Sequence, residues 1–596
     1  MAKINLKINN IPVTAEEGTT VLEAAKSLNI RIPTLCYHED LCVAGNCRVC
    51  VVEQVNNRLL VASCATPVAE GIEILTNSQK VRRARKHIIE LLLSEHNADC
   101  TVCHKNGKCE LQDLANEYCT GNHIYINLLE DKDYTIDMSS PALIKDDSKC
   151  IRCQRCVRTC AELQAVNALT VANKGADMKI SSFLGKPMFE VVCTNCGQCI
   201  VHCPTGALVE KANIEKVWDA IYNPDIHVVV QTAPAVRGAL GEDLGFEPGE
   251  RVTGKMVAAL KRLGFDSVLD TDFTADLTIV EEGNELLQRL KKVVQENDTS
   301  VALPMFTSCS PGWIKYMEHT FPEFIPNVSS CKSPQQMFGA LAKTYYAQRK
   351  NIDPKKMVSV SIMPCTAKKY ECERPEMRDS GEQDVDIVLT TRELAMMIKQ
   401  AGIDFLKLEE ENFDRLMGES TGAAVIFGAT GGVMEAAIRT AYNLVTGKDV
   451  PFDNLNITPV RGMEGIREAA LKIEGTVPEW NFLEGVELKV AVAHGLSNAK
   501  RLLEAVKNNE ADYHFIEIMA CPGGCLGGGG QPIPVNTNIR KKRAEALYAE
   551  DGDKPIRKSH ENPEIIELYK EFLSEPLGHK IGHKLLHTHY NKKNKY

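Results

Sequence analysis

Two stretches constrain this chain more than any others. CIRCQRCVRTC spaces Cys150, Cys153, Cys156 and Cys160 as C-x2-C-x2-C-x3-C, and CTNCGQCIVHCP repeats the spacing with Cys193, Cys196, Cys199 and Cys203 ahead of Pro204. Chance does not readily produce two complete runs of this kind. They sit in a chain of 596 residues with 23 cysteines, whose opening MAKINLKINN alternates apolar and polar residues instead of presenting a basic patch followed by an apolar stretch. No secretory signal is read there, so the expected location is the cytoplasm. Thiols stay reduced in the cytosol, which leaves metal clusters as the natural use for so many of them. The balance of 44% hydrophobic and 25% charged residues is that of a soluble globular protein, and no apolar run reaches membrane-spanning length. A net charge of -10 argues against nucleic acid as a main partner, because phosphate binding needs a basic field.

The paired runs have the spacing of two-cluster 4Fe-4S ferredoxins, in which the fourth cysteine of each run ligates the other cluster. Cys150, Cys153 and Cys156 are therefore grouped with Cys203, and Cys193, Cys196 and Cys199 with Cys160. Upstream, Cys36, Cys47, Cys50 and Cys64 form C-x10-C-x2-C-x13-C, which resembles the plant-type 2Fe-2S arrangement with altered spacing. His96, Cys100, Cys103 and Cys109 form H-x3-C-x2-C-x5-C. Those four ligands also suit a tetrahedral structural zinc. Their place between two other clusters favours iron, and they resemble the 4Fe-4S segment with one histidine ligand found in hydrogenases and in the large iron-sulfur subunit of respiratory complex I. Cys42, Cys119, Cys331 and Cys372 match no ligand role.

The pattern around these motifs is multidomain, mixing α/β and α+β. Ile4, Leu6 and Ile8, the turn Asn9-Asn10, then Ile11 and Val13 read as a hairpin, followed by a helix over about Thr20 to Ser27. Residues 1–78 are thus expected to form a β-grasp 2Fe-2S domain. Val81, Ala84, Ile88 and Leu92 recur at helical spacing and open a histidine-ligated 4Fe-4S domain over 79–120. Residues 120–145 read as a connector and 140–215 as the two-cluster ferredoxin. In 225–540, runs such as HVVVQTA, VSVSIMP and KVAVAH alternate with helical LTTRELAMMIKQAG, the pattern of a large α/β domain. The remainder, 541–596, is a separate C-terminal segment with a basic, histidine-rich arm after about Pro576.

Three loops of the large domain carry the chemistry: FTSCSPGW (306–313), MPCTAKKYE (363–371) and EIMACPGGCLGGGGQP (517–532). Together they resemble the signature loops of iron-iron hydrogenases, and the resemblance extends over essentially the whole chain, with the C-terminal segment similar to the family's small subunit. It implies a 4Fe-4S cubane joined through a cysteine sulfur to a two-iron centre carrying carbonyl, cyanide and dithiolate ligands. By motif, Cys365, Cys521 and Cys525 would ligate the cubane, with Cys525 bridging. The family's first loop often has two adjacent cysteines, one for proton transfer and one for the cubane, whereas here Cys309 precedes Ser310. Either Cys309 is the proton-transfer thiol and Ser310 stands at the ligand position, or Cys309 is itself the fourth ligand. The same resemblance implies a proton relay Cys309, Glu282, Ser329, Glu285, Arg289, a lysine at Lys368 contacting cyanide, and a pocket lined by Ala233, Pro234, Gln335, Met363 and Met519, with Ala235 where some relatives carry serine. The glycines from Gly523 to Gly530 would let the backbone pass close to a bulky inorganic group.

As a hydrogenase, the chain would interconvert H2 with protons and electrons. Its expected partners are a flavoprotein subunit handling NAD(P)H, a small 2Fe-2S subunit and ferredoxin, in a hetero-oligomer. A non-catalytic electron-transfer subunit of a complex I-like assembly would need the N-terminal cysteines but not the three loops. A hydrogen sensor would carry an appended signalling domain, and none is read here. GATGG (428–432) lacks a full phosphate-loop fingerprint. KVRRARK (80–86) offers a basic face for an acidic carrier, and His579, His583 and His587 share a helical face read as a solvated arm.

Overall fold

The computed structural model describes residues 2–595 apart from 56, 58, 120–133 and 579. The chain divides into two compact units, one of Met1–Glu162, Asn167–Val191 and His202–Val209, the other of Leu163–Val166, Val192–Val201 and Glu210–Tyr596.

In the first unit β1 (Lys3–Ile8) and β2 (Ile11–Glu16) form the expected hairpin. Asn9 and Asn10 take φ of 51° and 67°, the left-handed pair that a tight hairpin turn needs. Helix α1 (Val21–Ser27) starts at a capping box in which Thr20 and Glu23 satisfy each other's backbone N–H. With β3 (Val51–Gln54), β4 (Leu59–Ala62) and β5 (Glu73–Leu75) the sheet order is β2-β1-β5-β3-β4. Leu6, Ile8, Val52 and Ile74 of the sheet pack on Val21, Leu22 and Ala25 of the helix, a β-grasp core. Helix α2 (Gln79–Ser94), capped by Ser78, and α3 (Glu110–Tyr118) follow.

The expected connector is shorter than its pattern implied. Its first part, 120–133, lies outside the described residues, while β6 (Ile136–Asp137) and β7 (Leu143–Asp146) already belong to a sheet with β10 (Leu208–Glu210). A second hairpin pairs β8 (Thr170–Ala172) with β9 (Lys179–Ser181).

The second unit is built on two four-stranded sheets. Its strands are β11 (His227–Thr232), β12 (Ser267–Asp270), β13 (Met305–Phe306) and β14 (Met357–Met363). They continue with β15 (Ile387–Thr390), β16 (Ile466–Lys472), β17 (Glu487–His494) and β18 (Phe515–Met519). One sheet, β12-β11-β14-β15, is wholly parallel; the other, β13-β18-β17-β16, is parallel except for the edge strand β16. Continuous apolar runs such as Val228–Val230 arise because a parallel sheet is covered on both faces. The helices that position the site are α4 (Thr271–Leu290), α5 (Pro311–Thr320), α6 (Pro334–Leu341), α7 (Ala367–Cys372), α8 (Gly432–Thr446), α9 (Thr537–Asp553) and α10 (Ile581–Leu586). Among the described residues no helix is long and apolar enough to cross a membrane.

Two sequence readings change. The histidine-rich end is not a solvated arm: Leu585 and Leu586 of α10 are buried with Phe338, Leu341 and Leu568, and His587 is buried too. His583 and His587 do stack, with ring centroids 4.9 Å apart, while His579 lies outside the described residues. Arg85 of KVRRARK is also buried and donates to the Val51 carbonyl at 2.8 Å, so it does not belong to a solvated basic face. The GATGG stretch runs through Gly431, the cap of α8, to Gly432, and there Glu517 accepts the N–H groups of Gly431 and Met434 at 2.7 Å each. The buried Glu517 carboxyl, which burial pushes up to about 7, thus occupies the helix start.

Candidate active site and cluster-binding cysteines

The site hangs on the carboxyl ends of parallel strands, where α/β sheets form their ligand crevices. β11 delivers Ala233 and Pro234, β13 leads through Thr307 and Ser308 to Cys309 and Ser310, β14 leads to Cys365, and β18 ends two residues before Cys521. These loops close on a cavity of about 80 Å³ with an almost wholly apolar wall, lined by Cys309, Ser310, Cys365, Cys521 and Cys525 together with Ala233, Pro234, Ala235, Gln335, Met363, Lys368 and Met519. Every pocket residue expected from the loops is therefore on one wall.

The thiols fall into two environments. Cys521 is flanked by Cys365, Cys196 and Cys525, and Cys525 by Cys365 and Lys368. Burial pushes Cys525 up to about 12 and moves Cys365 and Cys521 the same way, so these thiols ionise only against a bound cation. Three convergent soft donors in a dry pocket fit iron. Cys309 shares Lys368 and Cys525 with that set but adds a carboxylate: burial first, then the Glu282 charge, hold its thiol well above the usual range, with Lys368 opposing. The Ser310 hydroxyl accepts the Ala520 N–H at 3.2 Å, next to Cys521.

Within the glycine run, Gly524 and Gly528 line the cavity. Only Gly523 and Gly524 have positive φ, 76° and 77°. Gly529 is needed because a Cβ there would meet the Cys196 carbonyl at 2.3 Å, so the glycine lets this loop abut the CTNCGQC loop rather than an inorganic group. Gln198 donates to the Gly527 carbonyl at 2.8 Å and Thr366 to the Asn195 carbonyl at 2.8 Å, fixing the same contact.

The relay residues are brought together. Glu282 is buried, and neither carboxylate oxygen accepts a well-formed hydrogen bond, although Ser329 and the Ser308 N–H lie close by. Burial, reinforced by the Glu285 charge and opposed by Ser329 and the Ser308 N–H, pushes it up to about 8. Ser329 donates to Glu285 at 2.9 Å, and Glu285 accepts from Arg289 at 2.6 Å. The i, i+3, i+7 spacing of Glu282, Glu285 and Arg289 on α4 does put them on one face. Arg289 also donates to the carbonyls of Ala302, Pro326, Asn327 and Val328, which fixes its position beside Glu285.

Lys368 donates to the Cys309 carbonyl at 3.2 Å and to Glu371 at 2.8 Å. Glu371 also accepts from Ser333 at 2.9 Å and Gln335 at 3.1 Å, so it aims both pocket polar groups. Sequence reasoning passed over it, although its i, i+3 place after Lys368 on α7 was visible. Replacing Glu371 with alanine would strand a buried ammonium at a cost of about 3–5 kcal/mol. A marked fall in Tm is expected, largely recovered when Lys368→Met is added, because the two changes are coupled.

Two of the accessory cysteine sets come together within the first unit. Cys50 and Cys64 have their sulfurs 3.4 Å apart, and Cys36 hydrogen-bonds with Cys47 and Cys64. His96 is buried with Nδ1 unpartnered, an orphaned donor atom of the kind that a metal completes. Cys150, Cys153, Cys156 and Cys203 line one cavity. Of the remaining set, Cys160 falls in the first unit and Cys193, Cys196 and Cys199 in the second. Two arginines missed by sequence reasoning lie inside the first run. Arg155 donates to the Tyr37 carbonyl at 2.7 Å and to Glu110 at 2.6 Å, and Arg158 donates to the Cys36 carbonyl at 2.5 Å. They tie three cysteine loops together.

Comparison with known proteins agrees with this geometry. Residues 226–529 match the family described as iron only hydrogenase large subunit, C-terminal domain, and 537–593 match iron hydrogenase small subunit. Residues 1–79 match a 2Fe-2S iron-sulfur cluster binding domain, 85–123 the NADH-ubiquinone oxidoreductase-G iron-sulfur binding region, and 140–209 the ferredoxin-like domain of NADH-quinone oxidoreductase subunit 3. The chain is 52% identical to the NADP-reducing hydrogenase subunit HndD of Solidesulfovibrio fructosivorans, over 100% of both chains. It is 40% identical to iron hydrogenase 1 of Clostridium pasteurianum, over 98% of this chain and 99% of that one. A solved variant of apo FeFe-hydrogenase HydA1 from Chlamydomonas reinhardtii superposes with a TM-score of 0.57 at 47% identity, covering 63% of this chain and 99% of that one. With its three cysteine-bearing loops on one cavity and matching relatives along its full length, the chain belongs to the iron-only hydrogenase large-subunit family.

Proposed function

We propose that the chain catalyses the reversible reaction H2 = 2 H+ + 2 electrons. The observation that carries this reading is the convergence of Cys365, Cys521 and Cys525 on one apolar cavity that is also lined by Cys309, the neighbour of the buried Glu282. The cofactors are one 2Fe-2S cluster on Cys36, Cys47, Cys50 and Cys64, and three accessory 4Fe-4S clusters. These lie on His96, Cys100, Cys103 and Cys109; on Cys150, Cys153, Cys156 and Cys203; and on Cys160, Cys193, Cys196 and Cys199. The catalytic cubane, linked to a two-iron centre with CO, CN and dithiolate ligands, is held by Cys365, Cys521 and Cys525, with the Ser310 oxygen at the fourth corner. The opposed surroundings of Cys309 and Ser310 support that division: Cys309 is the proton-transfer thiol.

When bound, the iron centre supplies the open coordination site and redox capacity for heterolytic cleavage. The protein's part is placement and proton movement. Cys309 would hold the proton at the pocket end of the relay and exchange it with Glu282; Glu282 would pass it by way of Ser329 to Glu285, which Arg289 holds at the end of the relay. Lys368, aimed by Glu371, meets a cyanide ligand, and Ala233, Pro234, Gln335, Met363 and Met519 shape a pocket that keeps water out. Cys196 lines the same cavity, which supports electron transfer from the adjoining 4Fe-4S cluster.

The partners we infer are a flavoprotein handling NAD(P)H and a small 2Fe-2S subunit, with ferredoxin as a further carrier, in a cytoplasmic hetero-oligomer. The full-length similarity to HndD and the two NADH-dehydrogenase-type segments support this assignment. The test is hydrogen turnover by the anaerobically matured chain with a viologen dye. Dye reduction under H2 and gas evolution from reduced dye are expected. A chain with loaded clusters and neither activity would be an electron-transfer subunit.

A further inference from the structure

The relay has a side branch that no expected role absorbs. It involves the loop 329–331, helix α4 and the C-terminal segment. Backbone bonds from Lys332 N–H to the Leu586 carbonyl and from Thr588 N–H to the Ser330 carbonyl, 2.7 Å each, fasten residues 586–588 alongside that loop. His587 thereby enters a closed space, with 2% of its side chain exposed. Its Nδ1 lies 2.9 Å from the Ser330 hydroxyl and its Nε2 lies 3.2 Å from Glu281. Glu281 also accepts the Tyr569 hydroxyl and, at 2.9 Å, the Leu577 N–H. On the other side the Ser330 hydroxyl is 3.3 Å, and its N–H 3.1 Å, from Glu285. The titratable groups facing His587 are Glu281 and Glu285 of α4, Cys331 of the loop, Tyr569, and the stacked ring of His583.

We propose that His587 is a positioning residue of the proton relay and that, with Glu281, it forms a buried store for one proton, linked to Glu285 through the Ser330 hydroxyl. The proposal rests on the hydrogenase reading above. Glu281 can only accept, so Nε2 carries a hydrogen. In the neutral ring Nδ1 then accepts, and the Ser330 O–H must point at it. When Nδ1 gains a proton it becomes a donor, and the Ser330 O–H turns to Glu285. The transfer is balanced: Ser330 gives its hydroxyl proton to the Glu285 carboxylate as its oxygen takes the Nδ1 proton, one O–H and one N–H bond exchanging with no change in electron count. Glu281 offsets the imidazolium charge in a space that excludes water. Because each H2 takes or yields two protons through one relay, a second protonation site beside Glu285 keeps the relay supplied when solvent protons are scarce. Glu285, Cys331 and His587 do carry ligand atoms within 4.8 Å of one another. Their hydrogen bonds are already made inside the protein, which favours a proton path over a metal site.

The test uses the matured full chain, His587→Gln, Ser330→Ala and the double variant. Hydrogen evolution is followed from acid to alkaline pH in H2O and D2O, with infrared bands and Tm as controls. Each single variant should lose about 5- to 10-fold in turnover and show a changed pH profile, with a larger solvent isotope effect and unchanged infrared bands. The double variant should be no worse than either single one. An active wild type whose variants keep its pH profile and isotope effect overturns the branch alone. If His587→Gln fails to mature, Ser330→Ala decides, since it leaves the α10 packing in place. A wild type without turnover overturns the functional reading, and the branch with it.

Discussion

Cys309→Ala is expected to lower hydrogen turnover on the order of 100-fold or more while leaving the iron content and the carbonyl and cyanide bands in place. The reason is geometric. Cys309 is the thiol that faces Glu282, whereas Cys521 and Cys525 neighbour Cys365. Losing the one group that hands a proton between the pocket and a buried carboxyl removes general acid–base catalysis, ordinarily worth 10²–10⁴-fold. Glu282→Gln should fall in the same range, because the amide keeps the shape but cannot take up the proton. The two changes combined should cost little more than either, as they break one chain. Glu285→Gln should cost less, because Glu285 is 13% exposed on its side chain, where water can substitute. If Cys309→Ala instead lost the bands together with iron, Cys309 would be the fourth cubane ligand and Ser310 a bystander.

The second large effect lies at the ligands. Cys525→Ala should abolish turnover and the carbonyl and cyanide bands, because in the proposed site Cys525 is the residue that would join both iron groups. Iron and electron paramagnetic resonance signals of the accessory clusters should remain, since those cysteines occupy other loops. The empty pocket would then be lined by the neutral thiols of Cys365 and Cys521, consistent with the upward shifts that burial imposes. Ser310→Cys makes the complementary prediction: with a thiolate at the fourth corner the cubane should resist chelators longer, and Cys309→Ala should keep the same defect in that background.

Much of this was legible because it is local. Asn9-Asn10 dictates its hairpin, Thr20 and Glu23 cap their helix, and the apolar run of Val228–Val230 announces a covered parallel strand. Cysteine spacing is local too, and the three loops could be read one at a time. What escaped was set by distant partners. Nothing near Glu517 indicates that it caps a helix starting at Gly432. Nothing near Arg155 or Arg158 points to the carbonyls of Tyr37 and Cys36. Gly529 resembled room for a cofactor but is room for the Cys196 carbonyl. His587 looked solvated because its neighbours are basic; the adjacent Leu585 and Leu586, which seat it in the core, were the overlooked signal. Charge patterning describes a local face, while burial depends on which distant surface that face meets.

The most direct test of the central claim, that this cavity holds a two-iron centre despite Ser310, is an infrared spectrum of the anaerobically matured chain under argon and then under hydrogen. Cyanide and carbonyl bands that shift when hydrogen is admitted are the predicted result. A spectrum without them, from a chain whose accessory clusters are loaded and beside a control hydrogenase matured in the same way, would contradict the account.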